Sequence, residues 1–310
     1  MMCEQHEWDD ARLGSTSDSR LVRQYRLQQS WYRQHVLSAD HGCISHGGSE
    51  RPVGSLLALH EVERRPALNF FDDDELYAWV DQQVGDARTR RATLSGPRLR
   101  TNMLSSMPMA FSLGAIISLA ADRTEIVRTA FGLELDEVTD VVPEWAPFPD
   151  HPLGDKTAFD LAIFFRRGRH IGVLGIETKY TEPLSPQPYD TERYRSVTAE
   201  ATPEYFGADA ADHLVGSATN QLWRHRMLAA AIVESGEFDL AEVAAVGLAA
   251  DSKLWAALST VQEHCGDQHP FIGVTWEGLA AHLEATSVSD RARRFRDRYL
   301  DLGPRGRTST

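Results

Sequence analysis

Asp160, Glu177 and Lys179 are the residues of this chain whose types and spacing could do chemistry together. Two carboxylates brought close to each other repel, and a divalent cation relieves that repulsion. Mg²⁺ takes oxygen ligands, commonly one or two carboxylates with waters and phosphate oxygens completing the shell. Mn²⁺ accepts a similar oxygen set. The carbonyl of Thr178 could add a further oxygen. Lys179 would sit beside the cation as a point positive charge. There it could orient or help deprotonate an attacking water and neutralise charge growing on a phosphate.

The elements that must position these groups lie between Gly154 and Glu182. Two apolar runs of strand length, Phe159–Phe165 and Ile171–Ile176, flank a short basic turn at Arg166–His170 that contains Gly168. This pattern predicts a β-hairpin. Asp160 falls near the start of the first strand, and Glu177 and Lys179 close the second. Alternation puts Glu177 and Lys179 on one face, and an antiparallel return brings Asp160 to the same end.

An Asp on one strand and Glu-Thr-Lys closing the next resembles the PD-(D/E)XK nuclease superfamily, which includes many restriction endonucleases. The wider context is similar to a bacterial group named for restriction endonucleases. It carries, in order, Asn-Met-Leu-Ser-Ser-Met-Pro-Met-Ala-Phe (Asn102–Phe111), Leu-Gly-Asp-Lys-Thr-Ala-Phe-Asp (Leu153–Asp160), Gly-Ile-Glu-Thr-Lys-Tyr-Thr-Glu (Gly175–Glu182) and Asn-Gln-Leu-Trp-Arg (Asn220–Arg224). The resemblance covers Tyr25 to Leu283, and the chain departs from it in having no Pro immediately before Asp160.

The resemblance implies an α/β fold with a restriction-endonuclease-like core, a mixed central sheet flanked by helices, and a helical N-terminal extension. It also implies a Mg²⁺-dependent endonuclease acting on DNA in a restriction or defence setting. Asp160 and Glu177 would hold the metal and Lys179 would act on water and developing charge. Gln221, on the helix after the Glu-x-Lys strand, would orient substrate or water. An upstream Glu often joins such a site; Glu144 is the first candidate here, with Glu125 and Glu134 as competitors. Cleavage of both strands usually takes two active sites, so a homodimer is expected. Two other classes stay open: a nuclease-fold module that only binds protein or nucleic acid, and a different α/β enzyme in which Asp160 and Glu177 are ordinary strand-end residues.

The formal net charge of −13 works against approach to phosphate. Charge is unevenly placed, however. Arg88, Arg90, Arg91, Arg98 and Arg100 form one basic segment, and Arg291 to Arg307 another. With Arg224, the first segment is the candidate nucleic-acid contact; the alternative is that both clusters are solvated helix faces. The three cysteines, Cys3, Cys43 and Cys265, are scattered and odd in number, which fits a reducing cytoplasm rather than a disulfide framework. No apolar run is long enough to span a bilayer, so no membrane partner is expected.

One domain is expected over residues 21–303, with 21–100 as extension and 101–303 as core, between loose tails at 1–20 and 304–310. In chain order, the reading is a helix at Leu21–Leu37, a loop at His41–Gly48 and a helix at Phe70–Val84. A buried helix at Thr101–Ala121, bent near Pro108, and a helix at Asp122–Phe131 follow. Val138–Val142 and Trp145–Phe148 read as a strand interrupted at Pro143. Pro183–Pro203, with four prolines, reads as a long loop, and Ala211–Glu234 as a helix with Leu214, Ala218, Leu222, Leu228 and Ile232 inward. Strands at Val243–Ala250 and Phe271–Trp276 and helices at Trp276–Leu283 and Asp290–Leu302 complete it.

Overall fold

The computed structural model describes residues 18–46, 49–90, 92, 94–147, 151–201, 203–266 and 268–302. Arg91, Phe148, residues 1–17 of the expected N-terminal tail and the whole expected C-terminal tail fall outside them. The end of the N-terminal tail is already structured. Ser19 caps helix α1 (Arg20–His35) by accepting from the Val22 N–H, and Asp18 pairs with Arg26 at 2.6 Å.

The N-terminal region is not purely helical. His41–His46, expected as a loop, is strand β1, which pairs antiparallel with β2 (Ser49–Leu57). Alternation there is too short to distinguish from loop composition. Helix α2 (Leu59–Arg64) and a 3₁₀ turn (Pro66–Phe70) lead to α3 (Asp74–Thr89), which starts later than expected because Asp73 caps it through the Leu76 N–H. The expected single helix over Thr101–Ala121 is two helices: α4 (Gly96–Thr101) and α5 (Ser106–Ser118), with the Ser105 hydroxyl capping α5. Pro108 lies in the first turn of α5, where no N–H is needed. Helix α6 (Arg123–Phe131) ends at Gly132 in the left-handed conformation, as expected.

Then comes the sheet. Strand β3 (Glu137–Trp145) runs through Pro143 without a break. It is an edge strand, where a missing N–H is tolerated. Strands β4 (Phe159–Arg167) and β5 (His170–Thr178) form the expected hairpin, with Gly168 at positive φ in a two-residue turn. The long loop ends early in helix α7 (Glu192–Glu200). The helix expected over Ala211–Glu234 divides into α8 (Ala210–Leu214) and α9 (Asn220–Glu234) around Gly216, and Ala218 is exposed between them. Strand β6 (Leu240–Gly247), helix α10 (Ser252–Glu263), which the sequence reading did not anticipate, strand β7 (Ile272–Thr275) and helices α11 (Trp276–Glu284) and α12 (Ser289–Tyr299) complete the chain.

The five strands are ordered β3-β4-β5-β6-β7. The first three are antiparallel, while β5, β6 and β7 are parallel. Helices cover both faces. Buried α5 packs on β3, β4 and β5, where Val141, Leu161, Ile163 and Ile176 meet it. Helix α9 packs on β5 and β6, over Ala162, Val173 and Val243. This is the mixed α/β sandwich that the sequence predicts, with helices in the N-terminal region as well. No helix among the described residues is long and apolar enough to cross a membrane.

Candidate active site

One end of the sheet collects the acidic residues. The hairpin register pairs Leu161 with Ile176, which sets Asp160 opposite Glu177. On the other side, Pro143 and Trp145 pair with Leu161 and Phe159, which sets Glu144 opposite Asp160. Three carboxylates from three neighbouring strands therefore lie in a row. Strict alternation fails at this row. Phe159 packs beneath α9 with Trp145, although Leu161 packs beneath α5. The Phe159 ring lies across Gly175, where an added Cβ would meet it at 2.4 Å. Glu144 itself has φ +49, a left-handed conformation costing a non-glycine residue on the order of 1–3 kcal/mol.

Asp160 Oδ2 accepts from the Thr178 N–H at 2.7 Å and the Thr178 hydroxyl at 2.8 Å. Glu177, almost wholly buried, has three partners around it. Its Oε1 accepts from Lys179 Nζ and from Gln221 Nε2, each at 2.7 Å. His225 Nδ1 lies 3.3 Å from Oε2, without the alignment of a hydrogen bond. Gln221 and His225 are one turn apart on α9, so one helix face supplies both. Gln221 also accepts the Ser185 N–H at 2.8 Å, which holds the loop after β5 to the site.

The segment after Glu177 is fastened on every side. The Lys179 N–H donates to the Val246 carbonyl at 2.8 Å and its carbonyl accepts from Trp276 Nε1 at 2.8 Å. The Tyr180 hydroxyl donates to the Tyr299 carbonyl at 2.9 Å and accepts from Gln29 Nε2 at 3.0 Å. Glu182 Oε1 accepts from the Ser106 N–H and from Arg98 Nη2, both at 2.8 Å, at the start of α5.

Charges respond to this crowding. Burial, then the charges of Asp160 and Glu177, push Glu144 well above the usual carboxylate range, with Arg98 opposing. Asp160 is pushed up to about 6 by burial and by Glu177, against Lys179 and the Thr178 hydrogen bonds. Burial works to neutralise Lys179, but the carboxylates of Glu177 and Asp160 outweigh it and raise its pKa. Burial pushes the His225 imidazole down to about 3, so it is neutral near pH 7.

This donor set suits a hard divalent cation. It offers carboxylate oxygens from adjacent strands, two of them in groups that burial and mutual repulsion hold away from full ionisation. A second acidic group, Asp40, His60 and Glu61, has ligand atoms within 4.8 Å of one another. There the Glu61 carboxylate is already committed to the Asp40 N–H and to Arg64.

The remaining sequence candidates sort differently. Glu125 is paired with Arg128 on α6 and Glu134 is exposed before β3, so of the three upstream glutamates only Glu144 reaches Asp160. Arg98 lies at the site's edge, and Arg90 Nη2 donates to the Pro143 carbonyl at 3.4 Å, next to Glu144. Arg88 and Arg100 are exposed at the ends of α3 and α4, where cations also suit the helix dipole. Arg224 stacks over Tyr189 at 4.8 Å. Among the described residues the C-terminal arginines do not form a free basic face, and Arg305 and Arg307 lie outside those residues. Arg291 pairs with Asp73 and Glu75, Arg293 with Asp290 and Arg296 with Glu284, while Arg298 is buried on Asn69. The sequence reading passed over His225, Glu182 and Tyr180. His225 carries a signal, its spacing of four from Gln221; Glu182 and Tyr180 carry none beyond their closeness to Lys179.

No curated protein and no solved structure matches this chain. A family model described as the PD-(D/E)XK nuclease superfamily matches residues 16–301 and so takes in every strand and helix named above. By that match over nearly its whole length, the chain belongs to the PD-(D/E)XK nuclease superfamily.

Proposed function

We propose that the protein is a Mg²⁺-dependent endonuclease that hydrolyses phosphodiester bonds of DNA, in a restriction or defence role, with Mn²⁺ able to replace Mg²⁺. The observation that carries this reading is the row Glu144, Asp160, Glu177 on adjacent strands with Lys179 bonded at its end. Membership of the superfamily supplies the nuclease class.

Asp160 and Glu177, with Glu144 and the Thr178 carbonyl, would hold the cation, which when bound supplies Lewis-acid polarisation of the phosphoryl group and a water acidic enough to attack near neutral pH. Thr178 holds the Asp160 carboxylate by two hydrogen bonds. Gln221 orients Glu177 and closes the loop at Ser185 over it. Without a cation the carboxylates of Glu177 and Asp160 favour the charged form of Lys179; in the site it would orient the attacking water and stabilise charge growing on phosphate. Arg90 and Arg98 at the rim, with Arg88, Arg100 and Arg224 further out, would meet the DNA backbone. Double-strand cleavage calls for two such sites and so for a homodimer.

The test is nicking of supercoiled plasmid in Mg²⁺, in Mn²⁺ and in chelator, beside a single-stranded RNA of matched length. Nicked plasmid with either ion and none in chelator is expected. Intact plasmid with both ions, or cleavage that chelator leaves unchanged, overturns the reading.

A further inference from the structure

We propose that the ring of Tyr189 is a stacking platform for an unpaired nucleobase of the substrate, held at the mouth of the carboxylate site. The proposal rests on the nuclease reading above and adds a substrate feature to it.

Tyr189 is 43% exposed and is the only large aromatic side chain left exposed among the described residues. The other aromatic residues described pack at least partly into the protein. A lone exposed ring needs no explanation by itself. This one is held in place from several directions. Asn220, itself wholly buried at the start of α9, accepts the Tyr189 N–H at 3.1 Å and donates to the Tyr189 carbonyl at 2.8 Å. Pro186 and Pro188 stiffen the chain just before it. Arg224, one turn along the same helix, sets its guanidinium 4.8 Å from the ring centroid. Gln221, the residue after Asn220 on α9, bonds both Ser185 and Glu177. The same helical turn therefore fixes the backbone of Tyr189, lays a guanidinium over its ring and touches the site.

A ring on a fixed backbone with a guanidinium on one face has less freedom to lose when something stacks on it. Aromatic rings and arginine planes are the groups on which splayed-out bases stack. The cation behind the ring also favours a ligand with phosphates on either side. A base within a duplex has both faces covered by its neighbours. Only a base outside the stack can use a single ring, whether it comes from a single strand or is extruded from a duplex.

The experiment uses the full chain with Ca²⁺ in place of Mg²⁺ and three oligonucleotides carrying 2-aminopurine: a single strand, a duplex in which it is bulged, and a duplex in which it is paired. Affinity and 2-aminopurine fluorescence are read for wild type, Tyr189→Ala and Tyr189→Phe. Wild type is expected to quench the unpaired probes. Tyr189→Ala should weaken binding to at least one unpaired probe by roughly ten- to a hundredfold, the usual cost of losing a stacking ring. Tyr189→Phe should stay within about threefold, and the paired duplex should change by less than about twofold in either variant, on the scale of that stacking effect. Loss on the single strand or on the bulge alone identifies the source of the base. If Tyr189→Ala binds both unpaired probes as wild type does, or loses the paired duplex equally, the platform is overturned while plasmid nicking leaves the nuclease reading standing. Wild type that neither binds the probes nor nicks plasmid overturns both.

Discussion

Asp160 Oδ2 accepts both the N–H and the hydroxyl of Thr178, the residue that separates Glu177 from Lys179. Those two hydrogen bonds join the halves of the motif across two strands. They fix an oxygen of Asp160 at the end of β5, and they favour its ionised form against burial and the neighbouring Glu177. The balance still leaves Asp160 raised to about 6, and four expectations follow from this site and its supports.

Asp160→Asn should stabilise the protein in chelator at pH 8. An acid whose pKa is raised on folding contributes its stability at low pH and loses it as pH rises through the folded value. For Asp160 the loss runs from about pH 4 to just above 6. The variant should exceed wild type by roughly 1–3 kcal/mol at pH 8, with the gap closing by pH 4. His225 acts with the opposite sign, losing stability as pH falls below its unfolded value, but it is present in both proteins and largely cancels in the difference. Mg²⁺ should raise the Tm of wild type and raise that of the variant less. Denaturation across pH 4–8 checks this, and a variant less stable than wild type at pH 8 contradicts it. Plasmid cleavage should be abolished.

Lys179→Ala should slow single-turnover cleavage on the order of a hundredfold or more while DNA affinity in Ca²⁺ changes little. Lys179→Arg should not restore the rate, because a planar guanidinium cannot occupy the ammonium's place against Glu177. Cleavage within about threefold of wild type would remove Lys179 from the chemistry, since a lost electrostatic stabiliser costs far more.

Gln221→Leu removes the donor to Glu177 and the acceptor of the Ser185 N–H together. The cost to stability should be roughly 2–4 kcal/mol, the loss of one ordinary hydrogen bond and one to a buried carboxylate. The sharper signature is local: faster amide exchange at Ser185 and a cleavage rate lowered more than affinity. Unchanged exchange at Ser185 would mean that the loop is held by other contacts.

Tyr180→Phe keeps the ring and removes the hydroxyl that links Gln29 of α1 to the Tyr299 carbonyl of α12. The site is wholly buried, so the loss should be about 1–3 kcal/mol, visible as a lower Tm. An unchanged Tm would show that packing against Tyr25 and Tyr299 alone holds this residue.

The closeness of Asp160, Glu177 and Lys179 and the hairpin that brings them together are local facts, and the sequence alone determined them. Two apolar runs around Gly168 permit one register, and that register sets Asp160 opposite Glu177. Helix α9 and the buried strand β6 were legible for the same reason, because each is a continuous pattern with its own period. What adds Glu144, His225 and Tyr180 to the site is not local. Glu144 joins through the pairing of edge strand β3 and a left-handed backbone that breaks alternation, which no periodicity announces. His225 and Gln221 meet Glu177 because α9 crosses β5 after an intervening loop and two helices. Tyr180 is locked by residues from opposite ends of the chain. The start of α5 is set by the Ser105 hydroxyl accepting the Met107 N–H, and the break between α8 and α9 falls around Gly216; neither shows in the periodicity. The charges divide in the same way. Sequence counts the arginines, but only tertiary contacts commit Arg291, Arg293 and Arg296 of α12 to ion pairs, bury Arg298 on Asn69 and leave Arg90, Arg98 and Arg224 near the site.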